Sequence, residues 1–134
     1  MTPWSVRYFR DERGRLPVAE FFEMPSSTGI TKSETAKFLA YLRLVRDEGL
    51  ALIARRSDVL ESLRGEDNLL SLRLNRTRNN PRVLVCALPE HRCIVLLHAF
   101  KELHTRAYLR ELPLARTRRD LVVDNPSRWV DDAT

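Results

Sequence analysis

An α+β domain, with helices packed on one side of a twisted sheet, is the fold that this sequence predicts. Three observations lead there. Apolar residues recur at three- and four-residue steps through the first half, then switch to strict alternation at LLSLRLN (Leu69–Asn75). A strand-like segment precedes two helical ones, so strand and helix do not alternate in the βαβ manner. The 134 residues, 43% hydrophobic and 31% charged, suit one soluble domain with a real core.

Taken in order, WSVRYF reads as a strand with Trp4, Val6 and Tyr8 on one face, followed by a turn at DERGR. Pro17 opens a helix through Val18, Ala19, Phe21 and Phe22, since proline loses nothing at a first helical position. MPSSTGITKS is a loop in which Ser33 is the expected cap of the next helix. That helix covers Glu34 to about Glu48, with Phe38, Tyr41, Leu42 and Val45 as its apolar stripe and Gly49 just past its end. Leu50 to Ile53 continue the packing as a short turn.

After the change of period, Leu70, Leu72 and Leu74 share one strand face, and Ser71, Arg73 and Asn75 the other. RTRNNP is a turn whose asparagines tolerate left-handed geometry. RVLVCAL and RCIVLLHAF form two further strands joined through PEH, and the second is apolar on both faces, as a strand with two neighbours should be. A helix follows from Thr105, which Pro113 should kink or interrupt. The expected architecture is therefore an N-terminal strand, a helical pair, a three-stranded antiparallel meander and a C-terminal helix. Residues 1–120 form the domain, and 121–134 are an acidic, flexible tail with Trp129 its one large anchor. The uncovered sheet face is expected to carry Arg73, Arg82 or their neighbours.

Charge is unevenly spread. Residues 1–69 balance, whereas residues 70–119 carry 11 basic and 3 acidic residues. Such a surplus suits a polyanion, because each neutralised phosphate releases counterions, although a solvated basic face would look the same. No apolar run approaches a membrane span and no secretory leader is visible, so the expected compartment is the cytoplasm. There Cys86 and Cys93 are expected to be two partly buried thiols, though a hairpin could set them opposite each other.

In order and spacing, the pieces Leu70-Ser71-Leu72-Arg73, Arg82-Val83-Leu84-Val85, Leu97-His98-Ala99-Phe100-Lys101 and Ala115-Arg116-Thr117-Arg118-Arg119-Asp120 resemble the RelE/HigB superfamily of bacterial toxins, in its phage-derived HigB-like branch. Trp4 and the Pro17–Phe22 helix fit the opening of that family, so the likeness covers residues 4–120. The resemblance implies a RelE-like fold and a toxin that cleaves messenger RNA on the ribosome. It also implies a cognate antitoxin, usually a helix-turn-helix DNA-binding protein. Two positions depart from the pattern: Ser71 stands where glutamate is usual, and Glu102 where a second lysine is usual.

Metal-free RNA cleavage uses the ribose 2′-hydroxyl as nucleophile and needs a base, an acid for the leaving 5′-oxygen, and cations for the developing phosphate charge. Arg82 is the candidate for that charge, having a fork that holds two oxygens and never deprotonates. Lys101 either shares the task, exchanges a proton, or pairs with Glu102. His104 is the candidate acid or base, or else a polar residue at a strand exit. Tyr108 either stacks on a base or packs as one face of an amphipathic helix. Arg73, Arg76, Arg78, Arg106 and Arg110 would make an electrostatic groove that positions RNA. His98 reads as a core histidine and His91 as a turn residue. No histidine has partners at metal-ligand spacing, so neither metal nor cofactor is expected. The competing reading is a RelE-fold module, eroded at Ser71 and Glu102, that binds RNA or protein without cutting. A third is the gyrase-directed ParE branch, against which Arg82 and Lys101 argue.

Overall fold

The computed structural model describes residues 3–104 and 106–131. Its order is β1 (Ser5–Tyr8), α1 (Pro17–Glu23), α2 (Pro25–Thr28), α3 (Lys32–Glu48), α4 (Leu52–Arg55), β2 (Leu60–Ser62), β3 (Leu70–Arg73), β4 (Pro81–Leu88), β5 (Cys93–Lys101), α5 (Tyr108–Asp124) and α6 (Pro126–Trp129). The fold is α+β around one five-stranded mixed sheet, ordered β1-β5-β4-β3-β2. The expected meander is β3-β4-β5, antiparallel throughout, while β1 lies parallel to β5.

Both faces of the sheet are covered, which corrects the one-sided expectation. On one face, Phe22, Phe38, Leu42 and Val45 pack against Leu70, Leu72, Val83, Val85, Ile94 and Leu96. On the other, Leu112, Ala115 and Val122 of α5 pack against Leu84, Cys86, Val95 and Leu97. Alternation along β4 and β5 makes this possible, because each of these two strands has apolar residues pointing both ways. Ser71 and Arg82, expected on an open face, are consequently buried beneath α5 or beside it.

Thr31, rather than Ser33, caps α3. Its hydroxyl accepts from Glu34 N, and the Glu34 carboxylate accepts from Thr31 N, a reciprocal capping box. At the other end Gly49 adopts φ +57°, and a Cβ there would collide with the indole of Trp4. α5 runs uninterrupted through Pro113. Its expected start, Thr105, lies outside the described residues. β2 was not foreseen; it pairs antiparallel with β3 and forms one edge of the sheet.

Residues 121–131 are not an irregular tail. The first four complete α5, Trp129 stacks on Phe9 with centroids 6.1 Å apart, and Val130 bridges Phe9 of the strand β1 leads into. The remaining residues 132–134 lie outside the described part. Cys86 and Cys93 are free, buried and offset, since Cys86 faces Val95 and Cys93 faces Leu88. Burial pushes the Cys86 thiol up to about 12. No helix among the described residues is long and apolar enough to cross a membrane.

Candidate functional site

The register of β4 and β5 decides which candidates meet. Val95 and Leu97 face α5, and uninterrupted alternation would place Lys101 on that face too. Instead Leu84 pairs with His98 and Val85 with Leu96, leaving Leu97 as the extra residue of a bulge. One extra residue reverses the parity beyond it. His98 and Phe100 thus turn toward α5, while Ala99 and Lys101 turn toward α3. Lys101 Nζ ends against Gly29, where a Cβ would lie 2.9 Å from it. Arg82, opposite Phe100, is on the other face. The two cations expected to share one phosphate are separated by the sheet.

Arg82 instead anchors a polar cluster on the α5 face. It is 4% exposed, with Nε donating to Ser71 Oγ at 2.7 Å, Nη1 to Glu102 Oε2 at 2.9 Å and Nη2 to Glu61 Oε1 at 3.3 Å. The ring of Tyr108 lies under the guanidinium, 4.6 Å from centroid to Cζ. Arg73, directly across the ladder from Arg82, donates from Nη2 to Glu102 Oε1 at 2.6 Å. Its Nε is buried without a hydrogen-bond partner. One carboxylate therefore bridges two arginines, and the two departures from the toxin pattern sit together around Arg82. Ser71 offers it a hydroxyl where a carboxylate was usual, and Glu102 supplies a carboxylate from the β5 exit. Glu61, Ser62, Leu63, Arg64, Arg73, Arg82 and Tyr108 line an open cleft of about 370 Å³, small for a ligand site.

The remaining candidates lie on two connecting segments. Arg76 and Arg78 are exposed on the β3–β4 turn, and His104, Arg106 and Arg110 are exposed on the β5–α5 corner. A hydrogen bond from Glu102 N to Asn80 O ties the turn to the corner at one end of the sheet. Other arginines of the basic half are engaged: Arg116 with Glu66, Arg119 with Asp67 O and Asp120, and Arg118 with Leu97 O. The turn and the corner therefore carry four exposed arginines of the basic half. Among the described residues no hydrogen bond or ion pair joins His104 to Arg82.

The turn is held by a residue that had not been singled out. Glu34, fully buried, accepts from Thr77 Oγ1 at 2.6 Å, Asn79 N at 2.8 Å and Asn79 Nδ2 at 2.7 Å, besides Thr31 N. Burial pushes its carboxyl up, but the donors from Thr77, Thr31 and Asn79 outweigh it and bring it down to about 2. The pattern Thr31-x-x-Glu34 is the signal that announces this residue. Within the turn Asn80, as expected of asparagine, adopts a left-handed φ of +43°, and so does Arg76, at +63°.

His98 shares a 3.0 Å hydrogen bond with Glu111 of α5 and packs beside Phe100. Burial lowers its pKa against the raising effect of Glu111. His91 lies exposed in the β4–β5 connection. Among the described residues no cluster of three or more His, Cys, Asp or Glu could hold a metal.

Against known proteins, residues 21–120 match the family model described as phage-derived protein Gp49-like (DUF891). That span includes α3, the whole meander, the Arg82 cluster and most of α5. No curated protein and no solved structure matches the chain.

Proposed function

The chain belongs to the phage-derived Gp49-like family, a family associated with toxin–antitoxin toxins, and from that premise we propose that it is a type II toxin of RelE/HigB kind that cleaves messenger RNA on the ribosome. The observation that carries this reading is the exposure of Arg76 and Arg78 on the β3–β4 turn and of Arg106 and Arg110 on the β5–α5 corner, two segments joined by the hydrogen bond from Glu102 N to Asn80 O, with no side-chain hydrogen bond or ion pair for these four arginines among the described residues. Four such cations at one end of a sheet supply the sequence-independent attraction to phosphates that RNA binding needs.

In this reading Arg82 and Arg73 face the scissile phosphate and stabilise the charge that develops as the 2′-hydroxyl attacks phosphorus, its proton passing to water in the open cleft. The Tyr108 ring fixes the guanidinium plane and offers its phenol to the ribose. His104 delivers a proton to the departing 5′-oxygen from the exposed corner. Lys101 has no step, because the bulge at Leu97 turns it away. The antitoxin, expected to be a helix-turn-helix protein, would silence the toxin by covering the same basic end. The compartment for such work is the cytoplasm.

Inducible expression of the chain alone, followed by mapping of messenger RNA 5′ ends, tests the reading. Growth arrest with new 5′ ends inside coding regions is expected. His104→Ala, at an exposed position, should lower cleavage about 100-fold or more without altering the fold. The second reading, a module that binds RNA or protein without cutting, is favoured by one observation: Glu102 and Glu61 already neutralise Arg82. Salt-sensitive RNA binding without arrest or new 5′ ends would select it.

A further inference from the structure

Arg82 has two carboxylate partners, and they are not equivalent. Glu102 is 7% exposed in its side chain, binds Arg82 at 2.9 Å and Arg73 at 2.6 Å, and its backbone is tied to Asn80. Glu61 is 38% exposed in its side chain, reaches Arg82 with one oxygen at 3.3 Å, and lies on the three-residue edge strand β2. Glu61 lines the open cleft together with Arg64, Arg73, Arg82 and Tyr108. A long, single, solvated contact is the weak kind of ion pair, whereas a buried carboxylate bridging two guanidinium groups is held in place by both.

We infer that Glu61 is the exchangeable counter-ion of Arg82, displaced by a phosphodiester entering the cleft, while Glu102 stays and holds both arginines in position. This rests on the RNA-directed reading for the identity of the anion, and the chemistry it names is a phosphate oxygen on paired guanidinium groups. The incoming oxygen takes the Glu61 position on Arg82 Nη2. Arg73, whose side chain is 37% exposed and lines the cleft, and Arg64, on the loop after β2, supply the second and third cationic groups. Glu61 then turns to water, which its exposure and edge position allow. The site is consequently closed to weakly charged ligands and opens to a full phosphate charge.

The experiment is binding of a short single-stranded RNA to the full chain by fluorescence anisotropy, with inorganic phosphate titrated separately by NMR. Glu61→Gln, and Glu61→Ala as a second variant if the first does not fold, should bind RNA about three- to tenfold tighter, because a competing charge is gone. Adding Arg73→Gln to Glu61→Gln should remove that gain. Glu102→Gln should produce no gain, as it disorders the two arginines rather than freeing one. Unchanged or weaker RNA binding by the folded Glu61 variants, with wild type binding and cutting RNA, overturns the inference and leaves the ribonuclease reading intact. If no variant binds RNA but Glu61→Gln shows phosphate shifts confined to the cleft, the exchange stands and the RNA reading fails. A gain in Glu102→Gln equal to that in Glu61→Gln also overturns it.

Discussion

Two carboxylates are buried at the same end of the sheet, on opposite faces, and the chain treats them oppositely. Glu34, beside the core of α1 and α3, has no ion-pair partner among the described residues; backbone amides, a hydroxyl and a side-chain amide surround it. Glu102, on the α5 side, has two arginines. Neutral donors contributed by a helix N-terminus and a turn satisfy the carboxylate, so Glu34 fastens the β3–β4 turn to α3. Arginines engaged by a carboxylate keep further donors, so the Glu102 cluster retains unused hydrogen-bonding capacity, including the partnerless Nε of Arg73. One carboxylate ties a turn to a helix, and the other bridges two arginines.

The largest expected effect comes from breaking the Arg82 cluster. Arg82→Ala removes the donors to Ser71, Glu102 and Glu61 together and should cost about 3–5 kcal/mol in urea unfolding. Replacing Arg82 by Met and Glu102 by Leu in one chain should recover most of that loss, since apolar pairs often match buried ion pairs. Such a chain should fold and be without toxicity. If the single and double variants are equally unstable, the cluster is holding the fold in the way Glu34 does, and the contrast disappears.

Glu34 offers the next effect, through pH. Its carboxyl lies at about 2 in the folded chain against an ordinary 4.5. A lowered carboxyl stabilises the fold fully above the unfolded value and loses that contribution as pH falls through the folded one. Stability should therefore drop by about 3 kcal/mol between pH 4.5 and pH 2, and Glu34→Gln should flatten that part of the curve. Equal acid sensitivity in Glu34→Gln would show that other groups set it. Smaller still is the cap: Thr31→Ala should cost about 1 kcal/mol and Ser33→Ala less than about 0.5 kcal/mol, measured side by side.

How much of this could be read in advance follows from the range of each interaction. The α3 stripe and the β3 alternation are local periods, and both strands and helices built on them are where they were expected. β2 escaped because three residues, Leu60 to Ser62, show no period. The bulge escaped because Val95, Leu96 and Leu97 are apolar on both faces, so a parity change leaves no mark in composition. Lys101, expected to share a phosphate with Arg82, lies across the sheet from it for that reason. The neutralisation of Arg82 escaped because Glu61, Ser71 and Glu102 come from three separate segments. Residues 121–131 were read as a tail because their anchor, Phe9, lies at the opposite end of the chain.

The smallest effect on stability tests what the secured turn is for. Arg76 and Arg78 are exposed and touch none of the core, so replacing both with Ala should change unfolding stability by less than about 0.5 kcal/mol. Their position on a turn clamped by Glu34 matters only if a polyanion meets it. Each cation lost from a single-strand contact should reduce the slope of log affinity against log salt by about 0.7. The double variant should therefore bind single-stranded RNA with a slope about 1.4 units shallower and with lower affinity at low salt. Glu34→Gln, which loosens the turn while leaving both arginines present, should give an intermediate affinity without the full change of slope. Under those results the neutral-donor carboxylate serves the site indirectly, by fixing where two charges stand. If the slope is unchanged when both arginines are gone, RNA does not pass over this turn, and the cleft under Tyr108 must be reached from the β2 edge.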